Sequence, residues 1–419
     1  MVSSNQKQMA DVVVIGAGVI GVCCAVKLAE RGLSVIVVDR EPPCEGASFG
    51  NAGVISPWSC VPQSVPGLWR KLPKWVMDPE GPVFIRKKYL ASFMPWAVRF
   101  LAAGKGKKVD HIGDAMMNLS RNSPSHYREL LQGTSALELV VDSSYVFIYK
   151  KAEQANLDHF GWHMRLKRNV PVSLIGAAEL RDLEPDISPA FQAAILIREQ
   201  ARALNPSAIG KAIAQKAIDS GVSFIQAETK SLQKLHDGWE ADCGDKKYIG
   251  KNLVLAAGVW SATLLKPFGY HLPLQAERGY HLLCRNPGVT INHSIMDAEY
   301  MCVASQMDAG VRIAGTAEFA GIDPPPDNRR AFVFKKMVKN AFPKINTEEV
   351  EPWMGRRPTF PDSLPCIGPL NGLKNVFAAF GHSHYGLSQA PATGQIIADC
   401  ITGKEPELEL APYRIDRFR

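Results

Sequence analysis

Six residues near the amino terminus, Gly16-Ala17-Gly18-Val19-Ile20-Gly21, have the types and spacing that bind a pyrophosphate. Asp11 to Ile15 reads DVVVI, a β-branched run suited to a central parallel strand, and it leads straight into these glycines. Gly16 permits a tight turn, Gly18 lets the backbone approach the phosphates, and Gly21 lets the next helix pack against the strand. The positive end of that helix then faces the anion. A second apolar run, Leu33 to Val38, ends in Asp39, 18 residues beyond Gly21. A carboxylate there accepts hydrogen bonds from the two ribose hydroxyls of an adenosine and repels a 2′-phosphate. A glycine trio alone is a weak signal, but strand, glycines, helix, strand and terminal acid in this order outweigh a bare glycine turn. Val19, Ile20 and Arg40 adjoin these positions and belong to the same expected contact set.

The fingerprint fits FAD and NAD alike. The segment after it, Glu45-Gly46-Ala47-Ser48-Phe49-Gly50-Asn51-Ala52-Gly53, is rich in small and amide residues, which let a backbone come close to a flavin ribityl chain or ring. Ser48, Asn51, Ala52 and Gly53 are therefore expected contacts. His159 and His163 stand four apart, as metal ligands on one helix face do, but no third ligand is near. A surface or structural pair is the better reading, and no metal is expected. Nine cysteines, an odd number without a CxxC pair, argue against a disulfide framework and suit a reducing cytosol.

These groups need elements to hold them. At 419 residues and 46% hydrophobic content the chain can bury a large core, and its length favours two domains with a cleft between them. The expected class is α/β, a Rossmann-like nucleotide-binding domain of the glutathione-reductase type joined to an α+β domain. Asn252 to Ala257 is a buried-strand pattern ending in Gly258. Asn375 to Phe380 is a last strand running into Gly381 and a helix from about Ala390 to Thr402. Segments 1–60, 200–262 and 350–419 are assigned to the nucleotide domain. Segments 61–199 and 263–349, richer in Trp, Pro and charge, form the second, where Tyr145 to Tyr149 and Val311 to Gly315 read as strands of a mixed sheet roofing the flavin.

A formal charge of +7 is modest for this length, and the run Lys105, Lys107, Lys108 reads as a solvated loop, so no nucleic-acid partner is expected. Residues 12–26 are uncharged but too short and too glycine-broken to cross a membrane. A cytoplasmic protein is expected, with any membrane contact peripheral, on the cytoplasmic face of the inner membrane. Trp69, Trp75, Phe93, Trp96 and Phe100, interleaved with Arg70, Lys71, Lys74, Arg86, Lys87 and Lys88, would supply it. The competing and weightier reading is that these aromatics pack the second domain.

Further motifs run along nearly the whole chain: ASFGNAGVIS at 47–56, LRDLEPDIS at 180–188, LVLAAGVWS at 253–261, ERGYH at 277–281, GTAEF at 315–319, WMGRRPTFPDSLPCIGP at 353–369 and GHSHYGLSQAPATG at 381–394. With GAGVIG they resemble, in order and spacing, the D-amino-acid dehydrogenase branch of the glycine oxidase and D-amino-acid oxidase superfamily. The resemblance implies FAD as cofactor and a small amino acid as substrate. It puts Gly381, His382, Gly386, Leu387 and Ser388 over the flavin, and Gly258 is a further expected cofactor contact. His382 and His384 can be read as a catalytic pair, but a positioning role for His382 and a packing role for His384 are the better reading. An amino-acid carboxylate calls for a guanidinium fork, and the family pattern Gly-x-Arg-Pro falls on Gly355-Arg356-Arg357-Pro358. Arg357 is then the first candidate, Arg356 is structural, Arg278 ranks second, and Tyr280 adds a hydroxyl or flanks the side chain.

The same resemblance implies hydride transfer from Cα to flavin N5, with no protein nucleophile or general base. The imine then yields a 2-oxo acid and ammonia, or stays cyclic for a D-proline-like imino acid. Electrons pass to a quinone or other carrier. An oxygen-using glycine or sarcosine oxidase and a flavin subunit of a multi-component complex remain as alternatives, and oligomer formation is left open. Three departures matter. Relatives that attach flavin covalently carry a cysteine where Gly355 stands, so the FAD is expected to be non-covalent. Trp58 replaces a usual tyrosine and Ser144 a usual glycine, so side-chain preference is not carried across.

Overall fold

Val12, Val13 and Val14 are fully buried in the strand Lys7–Ile15, which is hydrogen-bonded on both edges by parallel partners, Val35–Asp39 and Lys247–Leu255. A strand paired on both edges and packed on both faces has no polar face to keep, which is why these segments read as continuous apolar runs. The computed structural model describes residues 7–70, 72–78 and 80–418. Its first sheet has eight strands and continues to Ser223–Gln226 at one edge and to Val376–Phe380 and Cys366–Pro369 at the other. The hairpin Ser231–Leu235 and Gly238–Asp242 extends Lys247–Leu255.

Helices Val19–Glu30, Pro206–Asp219 and Gly386–Thr402 share one apolar core with the sheet. A side chain at Gly394 would strike the Cys23 carbonyl, so the first and last helices touch through backbone there. Because Lys7–Ile15 is flanked by one strand that follows it at once and another that arrives late in the chain, its carboxyl end lies at a topological switch point. There the loops part and leave a crevice.

The second sheet has ten strands. Its order runs Val350–Thr359, Gln275–Cys284, Gly310–Phe319, Cys302–Met307, Ser294–Asp297, Val140–Tyr149, Ala193–Ala203 and Val54–Ile55, with Val83–Ile85 and Val172–Gly176 paired at its side. The pairing is mixed, since Ser294–Asp297 runs parallel to Val140–Tyr149 among antiparallel neighbours. The strands read at Tyr145 and Val311 lie within it. Val54–Ile55 and Val350–Thr359, grouped by sequence with the nucleotide segments, belong instead to this sheet. Ten consecutive residues of the latter pair with Gln275–Cys284, a ladder that apolar pattern alone does not reveal.

The closing helix begins at Gly386, four residues before the expected Ala390. Pro391 suggests a first turn, because proline has no N–H to give. In the fold the carbonyl that Pro391 leaves unserved, that of Leu387, accepts the Tyr127 hydroxyl at 2.8 Å, and the helix extends back past the proline. All nine cysteines are free. His159 precedes the helix Phe160–Leu166 that holds His163, and no group of three metal-ligating side chains occurs among the described residues. Among those residues, no helix is long and apolar enough to cross a membrane.

Candidate active site

The crevice at the switch point is built for close approach. Gly16 has φ +109°, and a side chain on it would collide with the Ala256 carbonyl, while one on Gly21 would collide with the Gly16 carbonyl. The helix Val19–Glu30 therefore starts hard against the strand ends. Its N-cap, Gly18, offers no side chain, so the first N–H groups are not capped from within, although Ser48 Oγ accepts from Val19 N at 2.9 Å. Asp39 accepts from Ala17 N at 2.6 Å through one oxygen and from Glu41 N at 3.0 Å through the other. Each oxygen keeps a lone pair for a further donor. Beside it the Arg40 guanidinium stacks 3.7 Å above the Trp260 ring, next to Gly258 at φ +55°.

The small-residue run and the closing turn meet. Ser56 N donates to Ser388 Oγ at 2.9 Å, and Gly53, at φ +81°, takes its place through an N–H to Asn51 Oδ1 bond of 2.8 Å. A side chain at Gly50 would run into the Trp353 ring, which stacks on His281 at 4.9 Å. From here a cleft of about 1770 Å³ opens beside the second sheet. Ala47, Asn51, Ala52 and Ser388 line one part of it, and Arg357, Glu277, Tyr145 and Phe147 another.

Arg357 is held in this cleft by its cross-strand partner. The antiparallel register sets Glu277 opposite Arg357 and Arg278 opposite Arg356. Arg357 Nη1 donates to Glu277 Oε1 at 2.8 Å and to the Thr316 carbonyl at 3.4 Å, whereas Nε and Nη2 bond nothing among the described residues. Gly279 makes room, since a side chain there would overlap the guanidinium. Glu277 is 4% exposed and also accepts from Gln63 Nε2 and Thr359 Oγ1, both at 2.9 Å. Burial pushes its carboxyl up, but Arg357, His384 and the bond from Gln63 together outweigh that and hold it below the usual carboxylate range. The closing turn is tied to the same strand end: Ser383 N donates to Pro358 O at 2.9 Å, and His382 bridges to Thr359.

Of the other expected residues, Arg278 lies outside the cleft, Tyr280 at its edge and His384 within it. Arg278 does not line the cleft; it is fully buried beside Glu318, 3.3 Å away, with Nη2 on the Pro325 carbonyl. Tyr280 edges the cleft, but its hydroxyl donates to Glu318 at 2.6 Å and accepts from Asp327 N at 2.9 Å. Side chains alternate along a strand, so once Glu277 and Gly279 face Arg357, residues 278 and 280 turn to the other side. His384, expected to pack, is exposed in the cleft with Nδ1 3.2 Å from Gln63 Nε2. The protein packed around the ring holds its imidazole down at about 4 even though one edge reaches the cleft, and Glu277 pulls the other way. His382 is buried, with Nε2 3.0 Å from Thr393 Oγ1 and Nδ1 unpaired among the described residues.

Trp58 lines the cleft and Ser144 does not. Of the aromatics read as an interfacial surface, Phe93 and Trp96 pack on Phe319, Phe100 stacks on Trp96, and Trp69 is exposed; Lys71 lies outside the described residues. Gln63, Glu277 and Thr359 were not singled out from sequence. Glu277 falls within ERGYH and Thr359 within WMGRRPTFPDSLPCIGP, whereas Gln63 falls in no motif.

The DAO family, described as FAD dependent oxidoreductase, matches residues 11–400. A protein of Bradyrhizobium diazoefficiens named D-amino-acid oxidase is 34% identical over 416 residues, covering 97% of this chain and 98% of that one. The chain belongs to the DAO family of FAD-dependent oxidoreductases. A Rhizobium rhizogenes protein named D-amino acid dehydrogenase is 26% identical, covering 97% of this chain and 99% of its own length. Glycine oxidase from Geobacillus kaustophilus superposes with a TM-score of 0.73 at 20% identity, covering 97% of this chain and 98% of that one, and so shares the fold. The DAO assignment makes FAD the cofactor of this chain.

Proposed function

We propose that this chain oxidises the carbon–nitrogen bond of D-amino acids, with Arg357 holding the α-carboxylate. The observation that carries the reading is the unengaged Nε and Nη2 edge of a guanidinium whose third nitrogen is fixed by a buried glutamate. Two parallel N–H groups in one plane match a carboxylate. Similarity to proteins named for D-amino acids supports the substrate class.

The residues present fit FAD. Gly16, Gly18, Val19, Ile20, Gly21, Asp39, Arg40 and Gly258 would hold the adenosine and pyrophosphate. Ser48, Asn51, Ala52, Gly53 and the turn Gly381, His382, Gly386, Leu387 and Ser388 would hold the rest. Trp353 fills the space beside Gly355, where a covalently attaching cysteine would stand, which supports a dissociable cofactor. Bound FAD supplies the acceptor for the two electrons and the hydrogen leaving Cα.

The chain's own residues bind and orient. Arg357 fixes the carboxylate, Glu277 fixes Arg357, and His384, neutral at physiological pH, can face a neutral amine without repelling it. Tyr145, Phe147 and Trp353 present aromatic walls to the cleft. The family motifs point to a quinone or other carrier as electron acceptor. A second reading, oxygen as acceptor, is favoured by the higher identity to the protein named an oxidase, 34% against 26%. With a membrane quinone, the exposed Trp69, Leu90, Met94 and Val98 would be the lipid contact.

Anaerobic bleaching of the flavin by a panel of amino acids of both hands, with D-proline and sarcosine included, tests the substrate class. Peroxide formation against dye reduction then separates the acceptors. Bleaching by L-amino acids alone, or by none, would end the reading.

A further inference from the structure

The cleft contains a second guanidinium that the proposed reaction does not use. Arg165, near the end of the helix Phe160–Leu166, lines the cleft with its guanidinium 4.7 Å from the Trp162 ring and 5.6 Å from the Phe147 ring. Nη1 donates to the Gly161 carbonyl at 3.0 Å, but Nε is buried without a partner. No carboxylate pairs with it among the described residues, whereas Arg168, three residues on, has Asp114 at 2.8 Å and Asp110 at 3.5 Å. Burial lowers the pKa of Arg165 from its ordinary value, and a guanidinium stays charged in proteins. Stacking on two aromatic faces recovers part of the lost hydration, but it satisfies no N–H. A buried donor left unmatched keeps its desolvation penalty uncompensated.

Arg165 and Arg357 line the same cleft, and a run of contacts connects them. The Gly161 carbonyl that receives Arg165 lies beside Val61, a Cβ on Gly161 being 3.7 Å from Val61 Cγ1. The Val61 carbonyl accepts the Tyr385 hydroxyl at 3.1 Å, and the Tyr385 ring lies 3.9 Å from His384. His384 meets Gln63, and Gln63 bonds the Glu277 carboxylate that holds Arg357. Arg357 has its counter-charge built in; Arg165 does not.

We propose that Arg165 is an anion subsite for the far end of the substrate, so that the cleft takes amino acids whose side chain carries a second carboxylate. This rests on the proposed amino-acid oxidation, with the α-carboxylate on Arg357. A neutral side chain would leave Arg165 Nε unmatched, whereas a dicarboxylate offers an anion to each cation. The test is anaerobic flavin reduction with D-aspartate, D-glutamate and D-2-aminoadipate, each against its side-chain amide, in wild type, Arg165→Met and Arg165→Lys.

At one chain length the acid should exceed its amide in kcat/KM by about 10-fold or more, as one charged hydrogen bond is worth. That ratio should collapse in R165M and return in part in R165K. Independently of turnover, glutarate should raise the melting temperature of the FAD-loaded wild type more than butyrate does, and R165M should lose the difference. Acids no better than amides at every length, or an R165M loss equal for acid and amide, would overturn the subsite while leaving the oxidation intact. If R165M does not fold, the wild-type ratio and the glutarate shift decide. Flavin bleached by no amino acid would overturn both readings.

Discussion

Replacing Arg357 by lysine tests the carboxylate assignment without stranding its partner. Alanine at this position would leave Glu277, 4% exposed, as an uncompensated buried charge, a loss on the order of 3–5 kcal/mol that would confuse folding with catalysis. Lysine keeps the positive charge beside Glu277 but gives up the planar fork, so one ammonium must serve both the glutamate and the substrate. Nη1 already serves Glu277 and Thr316, and the edge offered to substrate is Nε and Nη2. The loss should therefore be about one charged hydrogen bond, roughly 1.5–3 kcal/mol, or about 10- to 150-fold in kcat/KM.

Because the carboxylate is gripped before and during reaction alike, most of the change should fall on KM. Anaerobic flavin reduction against D-amino-acid concentration, with a melting curve beside it, reads both quantities. Unaltered kcat/KM with an unaltered melting temperature would refute the reasoning, since the fork would then have no substrate to hold.

Gly279→Ala puts a methyl group where the Arg357 guanidinium lies, so kcat/KM should fall while the FAD content of the purified protein is retained; an active G279A protein with normal KM would contradict the placement. Gly16→Ala should do the reverse, giving folded but colourless protein, because φ +109° and the Ala256 carbonyl leave no place for a Cβ; flavin absorbance of the purified variant checks this. Glu184, fully buried, has its carboxyl pushed up by burial to about 7 despite bonds from the Asn292 and His293 N–H groups. A raised folded pKa means stability is greatest below the ordinary value of 4.5 and declines as pH rises to about 7, by on the order of 3 kcal/mol. Glu184→Gln should flatten that slope in melting temperature, and equal slopes would dismiss it. For Glu277 the sign is opposite: its lowered carboxyl stabilises above 4.5 and that contribution is lost as pH falls below it, so Glu277→Gln should shallow the acid limb of the pH–stability curve.

The nucleotide half was legible in the sequence because its determinants are local. Strand, glycine turn and helix follow one another within residues 11–30, and Gly21 answers to the Gly16 carbonyl within that same stretch, although Gly16 itself meets the distant Ala256 carbonyl. The same holds for Asp39, which needs only the end of the next strand. Arg357 was found through a contiguous motif and stands in the cleft. Arg278 and Tyr280 come from a motif equally contiguous but face away from Arg357. Alternation along a strand fixes that residues 277 and 279 share a side, but not which side borders the cleft.

That choice is tertiary. It follows from the pairing of Gln275–Cys284 with Val350–Thr359, which sets Glu277 across from Arg357 over a separation of 80 residues. Gln63, His384 and Arg165 line the same cleft from three further segments. Their chemistry depends on lost water and on neighbours far away in the chain, so it exists only once the two sheets have packed.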